Sequence, residues 1–317
     1  MHVRVLYHDH CFDGAASAAY FSRFLKDSRH PHAKFAYTGM AHTAGQTFPD
    51  ELFDGEINAI VDFKYAPTAK LTWYFDHHQS AFLRPEDAEY FRQAAHPQHF
   101  LDPTYQSCTK YIRDIVSQQF GYAAPDLDEL VRWADKIDGA KYEDAKEAVE
   151  YGSAATKLVL VIEASKGSDT VQRIIRDMQH LNLDAIIAQP EIQAIFQPLY
   201  ERHLRSVEAI RQSARTERGT IYFDLSSQDF EGYNKFIPYY LFPDSTYVVS
   251  VSTSTYRTKV SVGSSPWVEA IDHNLASICE RYGGGGHPRV GAISFPVGAV
   301  EEARKAAGEI VEELRGA

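Results

Sequence analysis

A chain of 317 residues exceeds what one small core organises and predicts two domains. Apolar content of 44% and charged content of 24% are those of an ordinary soluble globular protein. The formal net charge of −11 argues against a long basic groove for duplex or polymeric nucleic acid, which depends on neutralising many phosphates. A short phosphorylated substrate held by a few cations and metals stays compatible with it. Cys11, Cys108 and Cys279 form no CxxC pair, so reduced thiols and a cytoplasmic location are expected. Met1 to Tyr7 has no signal-peptide h-region, and no apolar run approaches the ~20 residues of a membrane span.

In chain order, Val3 to Tyr7 reads as a short buried strand. It runs into His8-Asp9-His10-Cys11-Phe12-Asp13-Gly14 and then a small-residue helix from Ala15. Strand, polar loop with glycine, then helix opens a doubly wound α/β domain, whose ligands sit outside the carboxyl ends of the strands. Lys34 to Thr38, Ala59 to Val61 and Leu71 to Phe75 are the next strands, the last two ending in Asp62 and in Asp76-His77-His78. A lone Asp after a strand is usually a cap or turn residue. Three strands finishing in acids or imidazoles, one in an Asp-His-His triplet, point instead to a metal site.

Ser107 is placed to cap a helix running to Val116. Asp126 to Trp133 is helical and leads to Asp135 and Asp138, neighbours on one helical face. The stretch from Lys141 to about Arg215 is mainly helical, broken and capped at Lys166-Gly167-Ser168-Asp169. A strand-rich region then starts near residue 216: a strand from Gly219, a hairpin turning at Ser254 to Arg257, a helix over Val268 to Tyr282, a strand over Val290 to Phe295 and a final helix from Val300. The fold class expected is α/β: an N-terminal parallel-sheet domain with helical insert over 1–190, a connecting helix over 191–215, and a smaller mixed α/β domain over 216–317.

Carboxylates and imidazoles without a cysteine cluster select harder divalent ions. Mn²⁺ is the natural candidate, with Mg²⁺, Co²⁺, Fe²⁺ or Zn²⁺ as alternatives, one or two per site. Cys11 lies alone in the first loop, which argues against a thiolate zinc site. Asp62, reaching in from the centre of the sheet, is placed to bridge two ions. Such a pair clamps a phosphoryl group and acidifies a water. His78 either fixes His77 or acts as an acid toward the leaving group. The glycine run at Gly283 to Gly286 reads as a linker or as a loop whose backbone N–H groups approach a phosphate. His287-Pro288-Arg289, feeding an apolar strand, favours the binding loop, with His287 and Arg289 as cations and Arg257 as a weaker candidate.

Tyr7-His8 through Asp13-Gly14, Val61-Asp62, Asp76-His77-His78 and Gly283 to His287, taken together, resemble the DHH phosphoesterase superfamily. The glycine-histidine loop resembles its C-terminal DHH-associated domain, found with oligonucleotide and cyclic-dinucleotide phosphodiesterases. The resemblance covers residues 1–140 and 216–317. It implies metal ligation by His8, Asp13, Asp62, Asp76, His77 and Asp135, with Asp138 the rival of Asp135. It implies catalytic roles for Asp76 and His78, and substrate binding by Gly284, Gly285, Gly286, His287 and Arg289. The family's second acid, two residues after Asp13, is Ala15 here, for which Asp9 or His10 is a substitute. The implied activity is exonuclease-like, metal-dependent hydrolysis of phosphodiester or phosphomonoester bonds in short oligonucleotides or small nucleotides, without long duplexes or membrane, with a homodimer as the assembly considered. Two alternatives stand beside it: a nucleotide sensor with a degraded metal site, and a hydrolase of polyphosphate or another non-nucleotide phosphate.

Overall fold

The computed structural model describes residues 1–43, 45–165, 169–228 and 232–316. The chain divides into two units, Met1–Lys141 with Gly152–Gln197, and Tyr142–Tyr151 with everything from Pro198 onward.

In the first unit, β1 (His2–His8), β2 (Lys34–Met40), β3 (Ile57–Val61), β4 (Trp73–Asp76) and β5 (His99–Leu101) form a wholly parallel sheet in the order β2-β1-β3-β4-β5. β3 and β4 are buried along their whole length, which is why they read as continuous apolar runs. The register brings the strand ends together: His8 lies beside Met40, Tyr7 beside Val61, and Val61 beside Phe75. β5, only three residues long, and α2 (Pro85–Ala94) were not expected from the sequence.

α1 (Phe12–Ser28) turns back from β1 at Gly14, where an added Cβ would lie 2.1 Å from the His8 carbonyl oxygen. Only glycine permits that approach. Ala15, Ala16, Ala18 and Ala19 then let the helix sit close to the sheet, all fully buried. Phe21 and Phe24 meet Trp73 with ring centroids 5.8 Å apart in both cases, and Phe21 meets Phe75 at 5.9 Å. Burial of each such ring contributes about 1.5–3 kcal/mol. Tyr74 points to the opposite face of the sheet and packs with Leu6, Ile60, Phe63, Tyr65 and Leu71. α3 (Cys108–Phe120) is capped by Ser107, whose hydroxyl accepts the Lys110 N–H at 3.3 Å, and it packs with α4 (Asp128–Asp138) against α1.

The helical stretch holds α5 (Ala145–Val149), α6 (Ala154–Ala164), α7 (Asp169–Asp177), α8 (Leu183–Ile187) and α9 (Pro190–Ser213). The break expected at Lys166, Gly167 and Ser168 lies outside the described residues, and Asp169 opens α7. α9 contains Pro198, where the division between the units falls. Residues 142–151, placed in the first domain from the sequence, group with the second unit. The Tyr142 carbonyl accepts the Trp267 indole N–H at 3.0 Å, and the Ala148 carbonyl accepts the Asn234 amide at 2.8 Å. No helix among the described residues is long and apolar enough to cross a membrane.

The second unit holds β6 (Arg215–Glu217), β7 (Thr220–Asp224), β8 (Tyr247–Thr253), β9 (Thr258–Ser264), β10 (Gly285–His287) and β11 (Val290–Phe295). They form a mixed sheet, order β10-β11-β9-β8-β7-β6, in which β7 and β8 are parallel and the other pairs antiparallel. α10 (Ile237–Leu241) precedes β8. α11 (Leu275–Glu280) and α12 (Val300–Arg315) cover one face through Leu275, Ile278, Ala303, Ala307, Ile310 and Leu314. The helix expected over Val268 to Tyr282 begins only at Leu275. Asn274 caps it by accepting the Ala276 N–H, and the Asp272 N–H is drawn to the Tyr247 hydroxyl at 2.9 Å. Asn at that place starts a helix rather than continuing one.

Candidate metal centre

Asp62 follows β3 in a left-handed conformation, φ 58°, which a short polar side chain tolerates. Its N–H donates to the Phe75 carbonyl at 2.9 Å, pinning it to the next strand. The carboxylate is 1% exposed, and neither oxygen has a hydrogen-bond partner. His8 Nδ1 lies 3.4 Å from Asp62 Oδ2, and His77 Nε2 lies 3.3 Å from Asp62 Oδ1. Those two nitrogens are likewise buried without a hydrogen bond. Four buried donor atoms converging with no partner constitute a place for a cation, because leaving such groups unsatisfied is costly.

His77 Nε2 is also 3.4 Å from Asp138 Oδ2 and 3.8 Å from Asp13 Oδ2. Its other nitrogen, Nδ1, lies 3.1 Å from the Tyr105 carbonyl, so an N–H belongs there and Nε2 faces the acids. Asp13, in the first turn of α1, is fully buried against the start of α3. Its carboxylate accepts the N–H of Cys108 at 2.7 Å and of Thr109 at 3.0 Å, and the Thr109 hydroxyl at 2.6 Å. A helix N-terminus is a favourable seat for that charge. The sequence signal for it was the Ser107 cap, whose helix presents these amides.

Asp76 does not join the cluster. It shares strand parity with Tyr74, so its side chain leaves the opposite face from Trp73 and Phe75. There Oδ2 accepts the Tyr74 hydroxyl at 3.1 Å. Oδ1 accepts the N–H groups of His77 at 2.9 Å and His78 at 3.3 Å, and lies 2.7 Å from His78 Nδ1. Asp76 shapes the turn that carries the two imidazoles. Asp135 is also elsewhere, 3.6 Å from Lys110 Nζ and 3.4 Å from Lys141 Nζ, whereas Asp138, three residues on, reaches His77. Asp9 is buried against Gly39 of β2, and His10 Nε2 lies 3.7 Å from its carboxylate.

Of two further neighbours, Cys11 was set aside in the sequence because it stands alone, and His42 was not singled out. Cys11 Sγ lies 3.8 Å from Asp138 Oδ1. His42 stacks on Phe63 with ring centroids 4.8 Å apart and lies 4.9 Å from the His8 ring. His42 follows β2, the strand beside β1, so the rule that sites form at strand carboxyl ends already pointed to it.

Charges are strongly coupled here. Burial opposes the Asp62 anion, but His77 and His8 more than offset it and bring the carboxyl down to about 2. Burial likewise opposes protonated His77, yet Asp62, Asp13 and Asp138 push it up to about 10. Burial, then Asp62 and Asp138, raise Asp13 well above the carboxylate range. Burial, then Asp62, Asp13 and Asp138, raise the Cys11 thiol as well. The contact with Asp76 raises His78 against the effect of burial. Below pH about 10, His77 therefore carries a proton that an arriving cation must displace. The expected result is that Mn²⁺ affinity rises with pH, on the order of tenfold per unit for one displaced proton. Calorimetric titration in buffers of different ionisation enthalpy reads the proton release, and a pH-independent affinity contradicts it.

In the second unit, Gly285 and Gly286 of the glycine run lie in the hairpin strand β10. An added Cβ would meet the Ala292 carbonyl oxygen at 2.2 Å from Gly284 and the Val290 carbonyl oxygen at 2.1 Å from Gly286. At Gly285 it would meet nothing, and His287 is exposed. The Arg289 guanidinium is occupied by the carbonyls of Ser265, Val268 and Glu269 at 3.1, 2.7 and 2.6 Å, so it anchors the loop. Arg257 donates to the Ser294 hydroxyl at 2.9 Å.

No protein-family model matches the chain, and no curated protein sequence matches it. Solved structures do. The pGpG-specific phosphodiesterase PggH from Vibrio cholerae is 18% identical, with TM-score 0.70 over 99% of this chain and 100% of that one. An exopolyphosphatase-related protein from Bacteroides fragilis is 15% identical, with TM-score 0.57 over 99% and 92%. RecJ from Thermus thermophilus, solved with Mn²⁺, is 14% identical, with TM-score 0.52 over 98% of this chain and 52% of that one. Together with a DHH-domain structure at TM-score 0.58, these likenesses show the two-domain DHH fold.

Proposed function

We propose that the chain is a metal-dependent phosphoesterase acting on phosphodiester or phosphomonoester bonds of short oligonucleotides or small nucleotides. The observation that carries this reading is Asp62, buried with both oxygens unpaired between the free nitrogens of His8 and His77. His8, Asp13, Asp62, His77 and Asp138 would hold the cation. Their carboxylate and imidazole donors suit Mn²⁺, and one RecJ structure of the same fold carries Mn²⁺ and another Mg²⁺. A divalent ion there supplies Lewis acidity toward a phosphoryl oxygen and an acidified water.

The chain's own groups do the rest. Asp13 and His77 are held by backbone partners, so the donor set is fixed before substrate arrives. His78 Nδ1 rests 2.7 Å from Asp76, which favours the imidazolium and assigns His78 the delivery of a proton to the leaving oxygen. Asp76 acts through it as a positioning residue. His287 and the open backbone at Gly285 are assigned to substrate phosphate, with Arg257 as an auxiliary cation. Arg289 keeps that hairpin in shape. Three free cysteines suit a reducing, cytoplasmic compartment.

The test is hydrolysis of a dinucleotide, a cyclic dinucleotide, a nucleoside bisphosphate and pyrophosphate, each with Mn²⁺ and with chelator. Mn²⁺-dependent turnover of a nucleotide is expected. Turnover indifferent to the base favours the polyphosphate reading, which the exopolyphosphatase-related likeness keeps in view. Full metal occupancy with nucleotide binding but no hydrolysis establishes a sensor and overturns the enzyme.

A further inference from the structure

We propose that Cys11 is a metal ligand, its sulfur completing a donor set with His8 and Asp62 for one ion, while Asp13, His77 and Asp138 serve a second. This deepens the metal-centre reading above and rests on it. The donor atoms of His8, Cys11 and Asp62 all lie within 4.8 Å of one another, as do those of Asp13, His77 and Asp138. Asp62 is 1% exposed and has one unpaired oxygen toward each set: Oδ2 faces His8 and Oδ1 faces His77. A carboxylate with both oxygens buried and unpaired is what a bridge between two cations requires.

Cys11 is presented for this role by the fold. It is the N-cap residue of α1, a helix of 17 residues, and its side chain makes no capping hydrogen bond. Its contact with Asp138 Oδ1, at 3.8 Å, is long even for sulfur. Burial and the neighbouring carboxylates oppose a free thiolate, so a bound cation is what would make the sulfur an anion there. One turn later stands Ala15, whose N–H donates to the Cys11 carbonyl at 3.2 Å, at the position where an acid was expected. The thiol releases its proton to solvent as the sulfur–metal bond forms, and no oxidation state changes.

A thiolate shifts preference at that position from Mn²⁺ or Mg²⁺ toward Co²⁺, Zn²⁺ or Fe²⁺, while the carboxylate-rich partner set keeps its liking for harder ions. The two positions would then differ in metal.

Titration of the full, chelator-stripped chain with Co²⁺ tests this. The wild type is expected to bind two ions and to show a near-ultraviolet sulfur-to-cobalt charge-transfer band beside the visible ligand-field bands. Cys11→Ser is expected to lose the charge-transfer band and to weaken one of the two ions by about 100-fold. Serine is a good N-cap, so the helix is preserved. Cys11→Asp should bind two ions without the band and should favour Mn²⁺. Visible bands without a charge-transfer band in the wild type, or a band that survives in Cys11→Ser, overturn the role of Cys11 and leave the metal centre standing. Failure of the wild type to bind any cobalt overturns both.

Discussion

Replacing Asp62 by asparagine is expected to lower kcat by on the order of 10³-fold or more, with little loss of folding. Asparagine keeps the size of the side chain and tolerates the left-handed backbone at φ 58°. What it removes is a carboxylate that faces both His8 and His77. An amide has a single acceptor oxygen, and its NH₂ would point a donor at a cation. The separation of metal loss from misfolding comes from thermal melts. Saturating Mn²⁺, at about 100 times its Kd, stabilises a folded chain by about 2.7 kcal/mol, which raises the wild-type Tm by roughly 5–10 °C. Asp62→Asn should melt near the metal-free wild type and show no such rise. A variant that keeps the full Mn²⁺-dependent rise shows that Asp62 does not hold the ion.

Asp13→Ala should fail differently, losing both activity and stability. Asp13 accepts the buried N–H groups of Cys108 and Thr109 and the Thr109 hydroxyl, all at 0% exposure. Each buried donor left without its acceptor costs about 1–3 kcal/mol, so a loss of about 3 kcal/mol and a fall in Tm of roughly 6–12 °C are expected without metal. Asp13→Asn should also destabilise, because one amide N–H must oppose a backbone N–H. If metal-free Asp13→Ala melts with the wild type, Asp13 is a ligand alone and not a tie between α1 and α3.

These two acids mark the boundary between pattern and packing. β1 to β4 were legible because apolar β-branched and aromatic runs ended sharply in polar residues, and parallel strands gather such ends at one edge. That alone placed His8, Asp13, Asp62 and His77 in one neighbourhood. The short β5 and the late start of α11 were not legible, since three residues carry little periodicity and the Asn274 cap competes with an apolar pattern that runs past it.

The sequence by itself determined the residue types and the strand ends that carry them. Tertiary structure decided which atoms meet. Strand parity turned Asp76 away from the cluster and into the turn that supports His77 and His78. The rotation of α4 chose Asp138 over Asp135, which Lys110 and Lys141 engage. Three carbonyls claimed Arg289 for the loop. Cys11, isolated in the sequence, came within reach of His8 and Asp62 because α1 begins at the edge where β1 ends. Spacing along a chain fixes which face a side chain takes, but only the packing of one element on another fixes the few ångströms on which metal binding depends.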